Sequence, residues 1–359
     1  MVNNVLRLKE GDMAPKRKIN TMIELSKAIE VSRPTLSKYF QNPKSLREST
    51  VKKIEQKLLE VDYVYNFIAT RQNRKSTGLL GVIVPTFKDL FMASLLRSIE
   101  RAAQKSDYTM IAQSSEGSIN GEIKAVELLR SMGVDGAIIA PQGSSDVDEV
   151  LRLAINDFPI IFVDSKPNDI AAGADFIGTD NRQSIGLIVD YLHRTGSKPK
   201  FLRMPNLNLN ASSRERAFRE KMLDLGLEPT YVEANDNYGS WNFEEFGFRI
   251  MDEHFNKQRY IDDALICAND RIAIGAIRAA NRHGLFAKSH GKSSKFRIAG
   301  HDDHPLSAYV YPALTTVAQD IDGIAAGAVN ALQKRISGEY TGESRDIFLG
   351  ASLKIRESS

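Results

Sequence analysis

Cysteine is nearly absent from this chain of 359 residues, and long apolar runs are missing altogether. The one cysteine, Cys267, lies in the apolar run "DALICAND", so no disulfide can form within the chain and a reducing compartment is expected. The first residues contain no apolar segment of the length that a secretory signal needs, and no later run approaches the roughly 18 apolar residues of a membrane-spanning helix. We therefore expect a soluble cytoplasmic protein.

Motifs of the common enzyme classes are also missing. Neither a GxSxG elbow nor a CxxC pair is present. The string "HGKSSK" at His290 contains the GKS of a phosphate-binding loop, but Phe286 stands where that loop needs its first glycine, and the string precedes a strand. The string "HDDHP" from His301 offers two histidines to a metal, yet Asp302 is better explained as a ligand contact. We predict that the protein is not an enzyme and needs no metal and no cofactor.

Positive charge is concentrated at the start of the chain. Up to Ser76 there are 16 Lys and Arg against 8 Asp and Glu, whereas the remainder has 32 against 37. Dense basic charge on a short segment attracts phosphate through counterion release, which a mildly acidic body does not. The pattern favours nucleic-acid binding by the N-terminal segment, with a merely solvated basic face as the alternative.

Three short helices are predicted within this basic segment. The string "NTMIELSKAIE" has apolar residues at helical spacing and opens with Thr21 three residues before Glu24, as in a capping box. Ser32 can cap a second helix, in which Pro34 is tolerated because it falls in the first turn. Helical spacing recurs in "LRESTVKKIEQKLLEV". The three helices should share one small core.

The second helix has an outward face of cations and short hydroxyl side chains, namely Arg33, Thr35, Ser37 and Lys38. Arg and Lys can reach guanine acceptors in a major groove, and Ser and Thr can bind phosphates. This face therefore indicates a DNA-reading helix.

The string from Val31 to Asn42, "VSRPTLSKYFQN", resembles the helix-turn-helix headpiece of the lactose-repressor (LacI) family of bacterial transcription regulators, in which "VSxxTVSRxLN" is typical. The resemblance implies that Arg33, Pro34 and Lys38 read bases. The predicted DNA-binding residues of the headpiece are Thr21, Ser32, Arg33, Pro34, Thr35, Ser37 and Lys38. Glu30 departs from the family, which usually has Gly in the turn; a left-handed turn there would cost a non-glycine residue about 1 kcal/mol.

The stretch "DYVYNFIATRQNRKSTG" has too few well-placed apolar residues for a fourth core helix and is interpreted as a linker. It falls where the family places a hinge helix that folds against the minor groove, and Asn66 and Ala69 match that pattern. By the same resemblance Gln72 stands where the family usually has a Leu that wedges between bases, so Asn66 and Gln72 join the predicted DNA-binding residues. The alternative is a disordered tether when DNA is absent.

From Leu79 onward, short β-branched runs alternate with helical patterns of about 10 to 15 residues, which is typical of βαβ units and parallel sheets. One set of strands comprises "LLGVIVP", "YTMIAQ", "DGAIIAP" and "PIIFVD", and a second comprises "DFIGTD", "KPKFLRM", "TYVEA", "DALICA" and "FRIAG". So many strands fit two doubly wound lobes better than one small sheet. The predicted fold class is α/β, with a three-helix headpiece and hinge before two parallel-sheet lobes, which by resemblance are of the periplasmic-binding-protein type.

These patterns predict four segments. They are a basic extension over residues 1–18, a helix-turn-helix headpiece over 19–62, a hinge or linker over 63–77, and a two-lobed effector-binding and dimerisation domain over 78–359. We expect lobe 1 at about 78–176 and 308–336, and lobe 2 at about 177–305 and 337–359.

Polar and aromatic residues follow the predicted strands, where ligands of open α/β sheets bind. Carboxylates, amides and a guanidinium can bond vicinal hydroxyls, and an aromatic ring can pack on the C–H face of a sugar. The family resemblance adds Arg214 as a ligand-binding arginine and Trp241 as an aromatic lid. The predicted effector-binding residues are Phe87, Asp89, Phe91, Ser114, Asp164, Asn181, Arg214, Trp241, Asn269, Asp302 and Gln319.

Several of these side chains also have simpler interpretations. One of Phe87 and Phe91 could belong to the core, and Arg214 could be a surface charge on a helix. Asp270, next to Asn269, could be a plain helix cap.

The sequence thus predicts a DNA-binding transcription regulator that acts as a repressor, forms a homodimer or a tetramer of paired dimers, and responds to a sugar-like effector. A sugar-binding transport receptor of the same two-lobed fold is the first alternative, opposed by the basic headpiece and the missing signal. An α/β enzyme with a helical appendage is the second, opposed by the missing catalytic set.

Overall fold

The computed structural model describes residues 17–41, 43–63, 76–141, 158–167, 174–234, 241–286 and 295–359. The chain divides into two compact units, Met1–Arg74 and Lys75–Ser359. The hinge predictions on Asn66, Ala69 and Gln72 lie outside the described residues, as does the "HGKSSK" string except for its last residue, Lys295. Within the described ranges, no helix is both long and apolar enough to cross a membrane.

The N-terminal unit contains the three predicted helices. They are α1 (Met22–Ile29), α2 (Arg33–Gln41) and α3 (Glu48–Leu58), with a short 3-10 turn at Pro43–Ser45 between the last two. Two short strands that the sequence did not indicate, β1 (Arg17–Ile19) and β2 (Val61–Tyr63), pair in parallel. One apolar cluster joins the three helices and the two strands, and its buried members are Ile19, Leu25, Ile29, Leu36 and Ile54.

Helix caps form where the sequence predicts them. The Thr21 hydroxyl accepts from the backbone N–H of Glu24 at 3.1 Å, and the Glu24 carboxylate accepts from the backbone N–H of Asn20 at 3.0 Å. The Ser32 hydroxyl accepts from the backbone N–H of Thr35 at 3.4 Å. Both side chains therefore satisfy helix N–H groups that have no intrahelical partner.

The turn between α1 and α2 adopts the left-handed conformation at a residue that is not glycine. Glu30 has φ 54° and ψ 43° and follows the last residue of α1. Its carboxylate lies 3.3 Å from the Lys57 ammonium of α3. Glu30 therefore adopts the left-handed conformation although it is not glycine, the residue that the resembling family usually has in this turn.

The first lobe of the second unit is built on a six-stranded parallel sheet. In chain order its strands are β3 (Leu79–Val84), β4 (Thr109–Ser114), β5 (Gly136–Ile139), β6 (Ile160–Val163), β7 (Asp175–Thr179) and β13 (Asp346–Leu349), and their spatial order is β13-β7-β6-β5-β3-β4. Its helices are α4 (Leu90–Lys105), α5 (Ile119–Ser131) and α10 (Ile321–Ser337). Strands buried on both faces account for the continuous apolar runs in this part of the sequence.

The second lobe has a four-stranded parallel sheet with its own core. The strands are β8 (Lys200–Leu202), β9 (Thr230–Tyr231), β10 (Ala264–Cys267) and β11 (Arg297–Ala299), in the spatial order β11-β10-β8-β9. The helices are α6 (Asn181–Arg194), α7 (Leu209–Asp224), α8 (Phe243–Asn256) and α9 (Asp270–Arg282). A separate antiparallel pair, β12 (Thr316–Ala318) with β14 (Ser352–Lys354), packs against this core through Val317.

The expected division between the lobes was wrong for three strands. Strand β7, assigned to lobe 2 from residue 177, pairs with β6 in the first sheet, and β13, assigned to lobe 2 within 337–359, pairs with β7. Buried Asp175 explains this placement, because it binds Arg335 at 2.8 Å and Arg345 at 2.7 Å and so ties α10 and the start of β13 to β7. In the other direction, Leu314 and Val317, expected in lobe 1, belong to the core of the second lobe.

Helices α8 and α9 approach each other through glycines. A Cβ at Gly247 would meet the carbonyl oxygen of Ile272, and a Cβ at Gly275 would meet the carbonyl oxygen of Glu244. The absence of side chains at both positions allows the two helix backbones to touch.

Candidate effector cleft and DNA-binding helix

A polar cleft lies between the two lobes, where the carboxyl ends of their strands meet. Seven of the predicted effector-binding residues line it, namely Asp89, Phe91, Asp164, Arg214, Trp241, Asn269 and Asp302.

Arg214 and Asp302 form the buried polar centre of the cleft. The Arg214 Nη2 donates to Asp302 Oδ1 at 2.9 Å, and its Nη1 donates to the carbonyl oxygen of Ala268 at 2.7 Å. The Nε of Arg214 donates to Asn181 Oδ1 at 3.3 Å, and Gln319 Nε2 donates to Asp302 Oδ1 at 2.7 Å. Asn181 and Gln319 therefore orient the two charged side chains, whose own atoms line the cleft.

His301 sits behind Asp302 and is held neutral. Burial and the nearby Arg214 charge lower the pKa of His301 to about 4. Since the Asp302 carboxylate can only accept, His301 Nδ1 donates to it at 2.8 Å, and His301 Nε2 accepts from the Ser184 hydroxyl at 2.8 Å. Burial alone would raise the pKa of Asp302, but Arg214 and His301 together lower it to about 2. Asp302 is therefore ionised at neutral pH.

Asp164 has a different electrostatic environment. Burial raises its pKa to about 7, against the influence of Arg214 and with that of the Asp302 and Asp89 carboxylates. Its backbone has φ 63°, and the N–H of Ser165 donates to the carbonyl oxygen of Val163 at 2.7 Å across a γ-turn. Strained backbone of this kind is concentrated at ligand sites, and here it directs a carboxyl group toward the cleft.

Polar contacts cross the cleft from one lobe to the other. Arg271 of α9 lies 3.2 Å from Asp89 of the first lobe, and Glu244 of α8 holds the same guanidinium at 2.7 Å through two bonds. Asp89 also accepts from the backbone N–H of Phe91 at 2.9 Å and so caps α4. His304 lies 3.9 Å from Asp89. Asp89 thus links a helix start in one lobe to a cation in the other.

Trp241 makes a second contact between the lobes. Its ring packs edge to face on Phe243, with centroids 5.5 Å apart. A Cβ at Gly117 of the first lobe would lie 2.6 Å from Cδ1 and 2.7 Å from Nε1 of this indole. The buried Nε1 has no hydrogen-bond partner among the described residues.

Four predicted effector residues are not part of the cleft lining: Asn181 and Gln319 contact Arg214 and Asp302 from behind it, and Phe87 and Ser114 lie away from it. Phe87 is 51% exposed, and the Ser114 hydroxyl donates to the carbonyl oxygen of Pro85 at 3.3 Å. At the start of α9, Asn269 is the cap, since its side chain accepts from the backbone N–H of Ile272 at 2.9 Å. Asp270 is buried and accepts instead from the loop of His304 and Ser307 and from Thr316, so the plain-cap interpretation of Asp270 was wrong.

Sequence reasoning missed half of the lining. The missed residues are Met92, Met204, Asn208, Asn210, Phe243, Arg271 and His304. Arg271 could have been found, because it directly follows the predicted pair Asn269 and Asp270. The others lie in loops and helix starts whose approach depends on how the lobes fold.

The candidate DNA-binding helix is α2. Within the N-terminal unit Thr21, Ser32, Arg33, Pro34 and Lys38 are exposed, while Thr35 and Ser37 are half-buried. Apolar Leu36 points into the core. The helix therefore presents its cations and its first turn to solvent.

Known proteins resemble this chain in sequence over both of its units. A periplasmic binding protein-like domain matches residues 189–359. The HTH-type transcriptional regulator MalR of Streptomyces coelicolor is 26% identical over 335 residues, which cover 92% of this chain and 93% of that protein. Catabolite control protein A of Priestia megaterium is 25% identical over 346 residues, covering 94% and 99%.

A comparison with solved structures finds a similar fold over both units. The crystal structure of the Lac repressor dimer bound to operator and the anti-inducer ONPF has a TM-score of 0.76 at 20% identity, and the match covers 94% of this chain and 98% of that one. In sequence and in fold, the chain is similar to LacI-type regulators. The LacI-type resemblance predicted from "VSRPTLSKYFQN" is thereby confirmed, together with the α/β fold class.

Proposed function

We propose that this LacI-type chain is a sequence-specific transcription regulator, acting as a repressor, whose affinity for operator DNA is controlled by a small sugar-like effector. The observation that carries the proposal is the combination of an exposed basic helix in one unit with a polar cleft between two lobes in the other. The protein acts in the cytoplasm, without catalysis.

On the DNA side, α2 would enter the major groove. Arg33 and Lys38 are exposed on this helix and can reach base edges, while Ser32 and Thr35 at its start suit phosphate contacts. The basic charge of the segment up to Ser76 adds a sequence-independent attraction.

On the effector side, the cleft supplies the groups that bind vicinal hydroxyls. Asp164 and Asp302 can accept hydrogen bonds from hydroxyl groups, Arg214 can donate, and Trp241 offers a ring for the C–H face of a pyranose. A ligand there would compete with the contacts of Arg271 with Asp89 and of Trp241 with Gly117. It would therefore shift the equilibrium between lobe arrangements by its differential affinity for them.

A homodimer would place two headpieces on a pseudo-palindromic operator. The second lobe has an exposed apolar patch in one loop, formed by Leu306 (47% exposed), Tyr309 (85%) and Tyr311 (72%). Such a patch on a soluble unit suits a second copy of the chain. Tyr309→Asp should give monomers in size-exclusion chromatography with light scattering if this patch is the interface, and unchanged dimers if it is not.

Gel-shift titration tests the proposal directly. The full-length protein should bind promoter DNA adjoining its own gene, and one member of a sugar panel should change the apparent Kd. Arg33→Ala/Lys38→Ala should lose the discrimination between this DNA and a scrambled duplex. Equal binding of both duplexes by the wild-type protein would contradict a sequence-specific regulator, and sugar binding without DNA binding would favour the transport-receptor alternative.

A further inference from the structure

The two oxygens of the Asp302 carboxylate have different surroundings. Oδ1 accepts three hydrogen bonds, from Arg214 Nη2 at 2.9 Å, His301 Nδ1 at 2.8 Å and Gln319 Nε2 at 2.7 Å. Within the described part of the chain, Oδ2 has only a contact with Arg214 Nη1 at 3.5 Å, which is longer than an ordinary N–H···O bond. Because Asp302 lines the cleft, Oδ2 is the oxygen that it can offer to a ligand there.

Two of the three donors are themselves held by buried hydroxyl groups. The Thr179 hydroxyl bonds to Gln319 Oε1, so the amide directs its nitrogen toward the carboxylate. The Ser184 hydroxyl donates to His301 Nε2 at 2.8 Å, and its alternative acceptor, the carbonyl oxygen of Asn181, is farther away at 3.4 Å. Ser184 therefore makes Nε2 the acceptor of the imidazole and leaves Nδ1 as the donor toward the carboxylate.

The backbone at Asp302 is strained, so its side chain needs this support. Asp302 has φ 116°, which is costly for a residue other than glycine, and its N–H donates to the carbonyl oxygen of Val317 at 2.9 Å. The preceding residue is fixed as well, because His301 is fully buried and its carbonyl oxygen accepts from the N–H of Asp270 at 2.8 Å. Strained backbone persists only where several contacts determine it together, and the bond from His301 Nδ1 is one of those contacts.

We propose that Ser184 and His301 are positioning residues for the effector. Neither side chain lines the cleft, but together they fix the Asp302 carboxylate so that Oδ2 accepts a hydrogen bond from the ligand. The inference rests on the proposed function and deepens it. Because an ionised carboxylate can only accept, the effector must carry a hydroxyl or N–H group at this point, and a ligand with only acceptor atoms there should bind poorly.

Nitrogen NMR of the full-length protein with isotope-labelled histidine tests the first step without a ligand. The signal of His301 is the one that disappears in His301→Asn, and in the wild type it should show the Nδ1–H tautomer. In Ser184→Ala the neutral ring loses an accepted hydrogen bond, while the charges that face it, Arg214 and Asp302, stay the same. The pKa of His301, about 4 in the wild type, should therefore rise by about 0.5–1 pH unit. An Nε2–H tautomer in the wild type, or an unchanged pKa in Ser184→Ala, would overturn the positioning role.

Isothermal titration of the full-length protein tests the effect on recognition. The probes are glucose, galactose, mannose, ribose, maltose and lactose, with monodeoxy derivatives of the sugar that binds most tightly. In the wild type, removal of one particular hydroxyl should weaken binding about tenfold, which corresponds to about 1.4 kcal/mol. In His301→Phe, which keeps a ring but has no donor, the same removal should weaken binding about threefold at most.

Two further variants separate positioning from a structural role. His301→Asn keeps an N–H donor close to the place of Nδ1 and should restore the full effect of removing the hydroxyl. The matched control, Ser358→Ala, removes another buried hydroxyl of the second lobe, which donates to the carbonyl oxygen of Ile298 at 2.6 Å outside the cleft. It should lower thermal stability, as Ser184→Ala does, but leave the effect of the missing sugar hydroxyl unchanged.

The outcomes separate this inference from the proposed function. If a sugar binds and changes operator affinity, but each of its hydroxyls contributes equally in the wild type and in His301→Phe, the positioning role is refuted and the sugar-responsive regulator stands. If His301→Asn loses as much as His301→Phe, the ring and not its N–H is what matters, and the assignment of Nδ1 fails. If no sugar binds while specific operator binding persists, the sugar effector and the positioning role fail together.

Discussion

The Asp135 carboxylate binds the first described residues of the second unit, and we expect its replacement to loosen them. Its carboxylate accepts four hydrogen bonds from three consecutive residues, Ser76, Thr77 and Gly78. They come from the Ser76 hydroxyl (2.7 Å), the Thr77 N–H (2.7 Å) and hydroxyl (2.9 Å), and the Gly78 N–H (2.8 Å). These are the first described residues after 64–75. Asp135→Asn keeps the shape of the side chain but removes its charge and one acceptor.

The magnitude follows from the bonds that are lost. An amide replaces one acceptor oxygen, so either the pair of bonds to Oδ1 or the pair to Oδ2 is lost, and an N–H group then faces other donors. Two hydrogen bonds at a net 0.5–1.5 kcal/mol each give a local loss of about 1–3 kcal/mol. If operator binding needs this anchored conformation, the operator Kd should rise by a factor of roughly 5 to 150, while the effector Kd is unchanged.

Hydrogen exchange of the Thr77 and Gly78 amides, measured with operator titrations, tests this expectation. Exchange should accelerate in Asp135→Asn and remain slow in Asp107→Asn, a control with the same charge change at an exposed left-handed residue near the same sheet edge, where Asn is tolerated. Unchanged exchange in Asp135→Asn would refute the anchor. Faster exchange with normal operator affinity would show that the anchor is not coupled to DNA binding.

Three further outcomes are expected. Lys38→Ala should weaken operator binding by about 1–3 kcal/mol and relax the sequence preference at one base pair. Anisotropy titrations with single-base operator variants would measure both effects, and unaltered preferences would contradict base reading by Lys38. Arg214→Ala should abolish effector binding in calorimetry and leave operator affinity intact, because Arg214 lies in the cleft; normal effector affinity would exclude its assignment. Burial raises the pKa of Asp164 to about 7, so between about pH 4 and pH 7 the folded protein keeps a proton that the unfolded chain has released, and the associated stability is lost as pH rises through that range. Relative to Asp164→Asn, the free energy of unfolding in urea should therefore fall by about 2 kcal/mol between pH 5 and 8; parallel pH profiles for the two proteins would show that Asp164 keeps an ordinary pKa.

Local patterns predicted the headpiece well. The caps at Thr21 and Ser32 and the core positions of α1 and α2 depend on neighbours within one helical turn, so the sequence displays them directly. Strands β1 and β2 escaped prediction because three residues are too few to show a strand period.

Long-range pairing limited the prediction of the lobes. Strands β7 and β13 are separated by more than 160 residues of chain, yet they lie side by side in one sheet. Buried parallel strands have similar apolar sequences, so composition could not assign them to a lobe. The ion pairs of Asp175 with Arg335 and Arg345 make that assignment, and they join residues that no sequence window contains together.

The sequence predicted those residues of the candidate site that come directly after a strand. Asp164 and Asn269 were found by that rule, which depends on the edge that parallel strands share. Asn208 caps α7 and Asn210 lies in its first turn. Both reach the cleft because of how that helix packs, which no local sequence pattern predicts.

The glycine contact between α8 and α9 also determines where the ligand preference of this protein can be changed by engineering. The backbones of α8 and α9 touch at Gly247 and Gly275. The first turns of these helices, which carry Phe243, Glu244 and Arg271, should therefore move together as one rigid wall of the cleft when a ligand binds. A library that varies residues on this wall would have to conserve both glycines, and it could not widen the cleft by moving one helix alone. The first-lobe residues of the cleft lining, such as Phe91 and Met92, are free of that constraint. Directed evolution toward a new effector should therefore accumulate its early substitutions there, on the side of the cleft opposite α8 and α9.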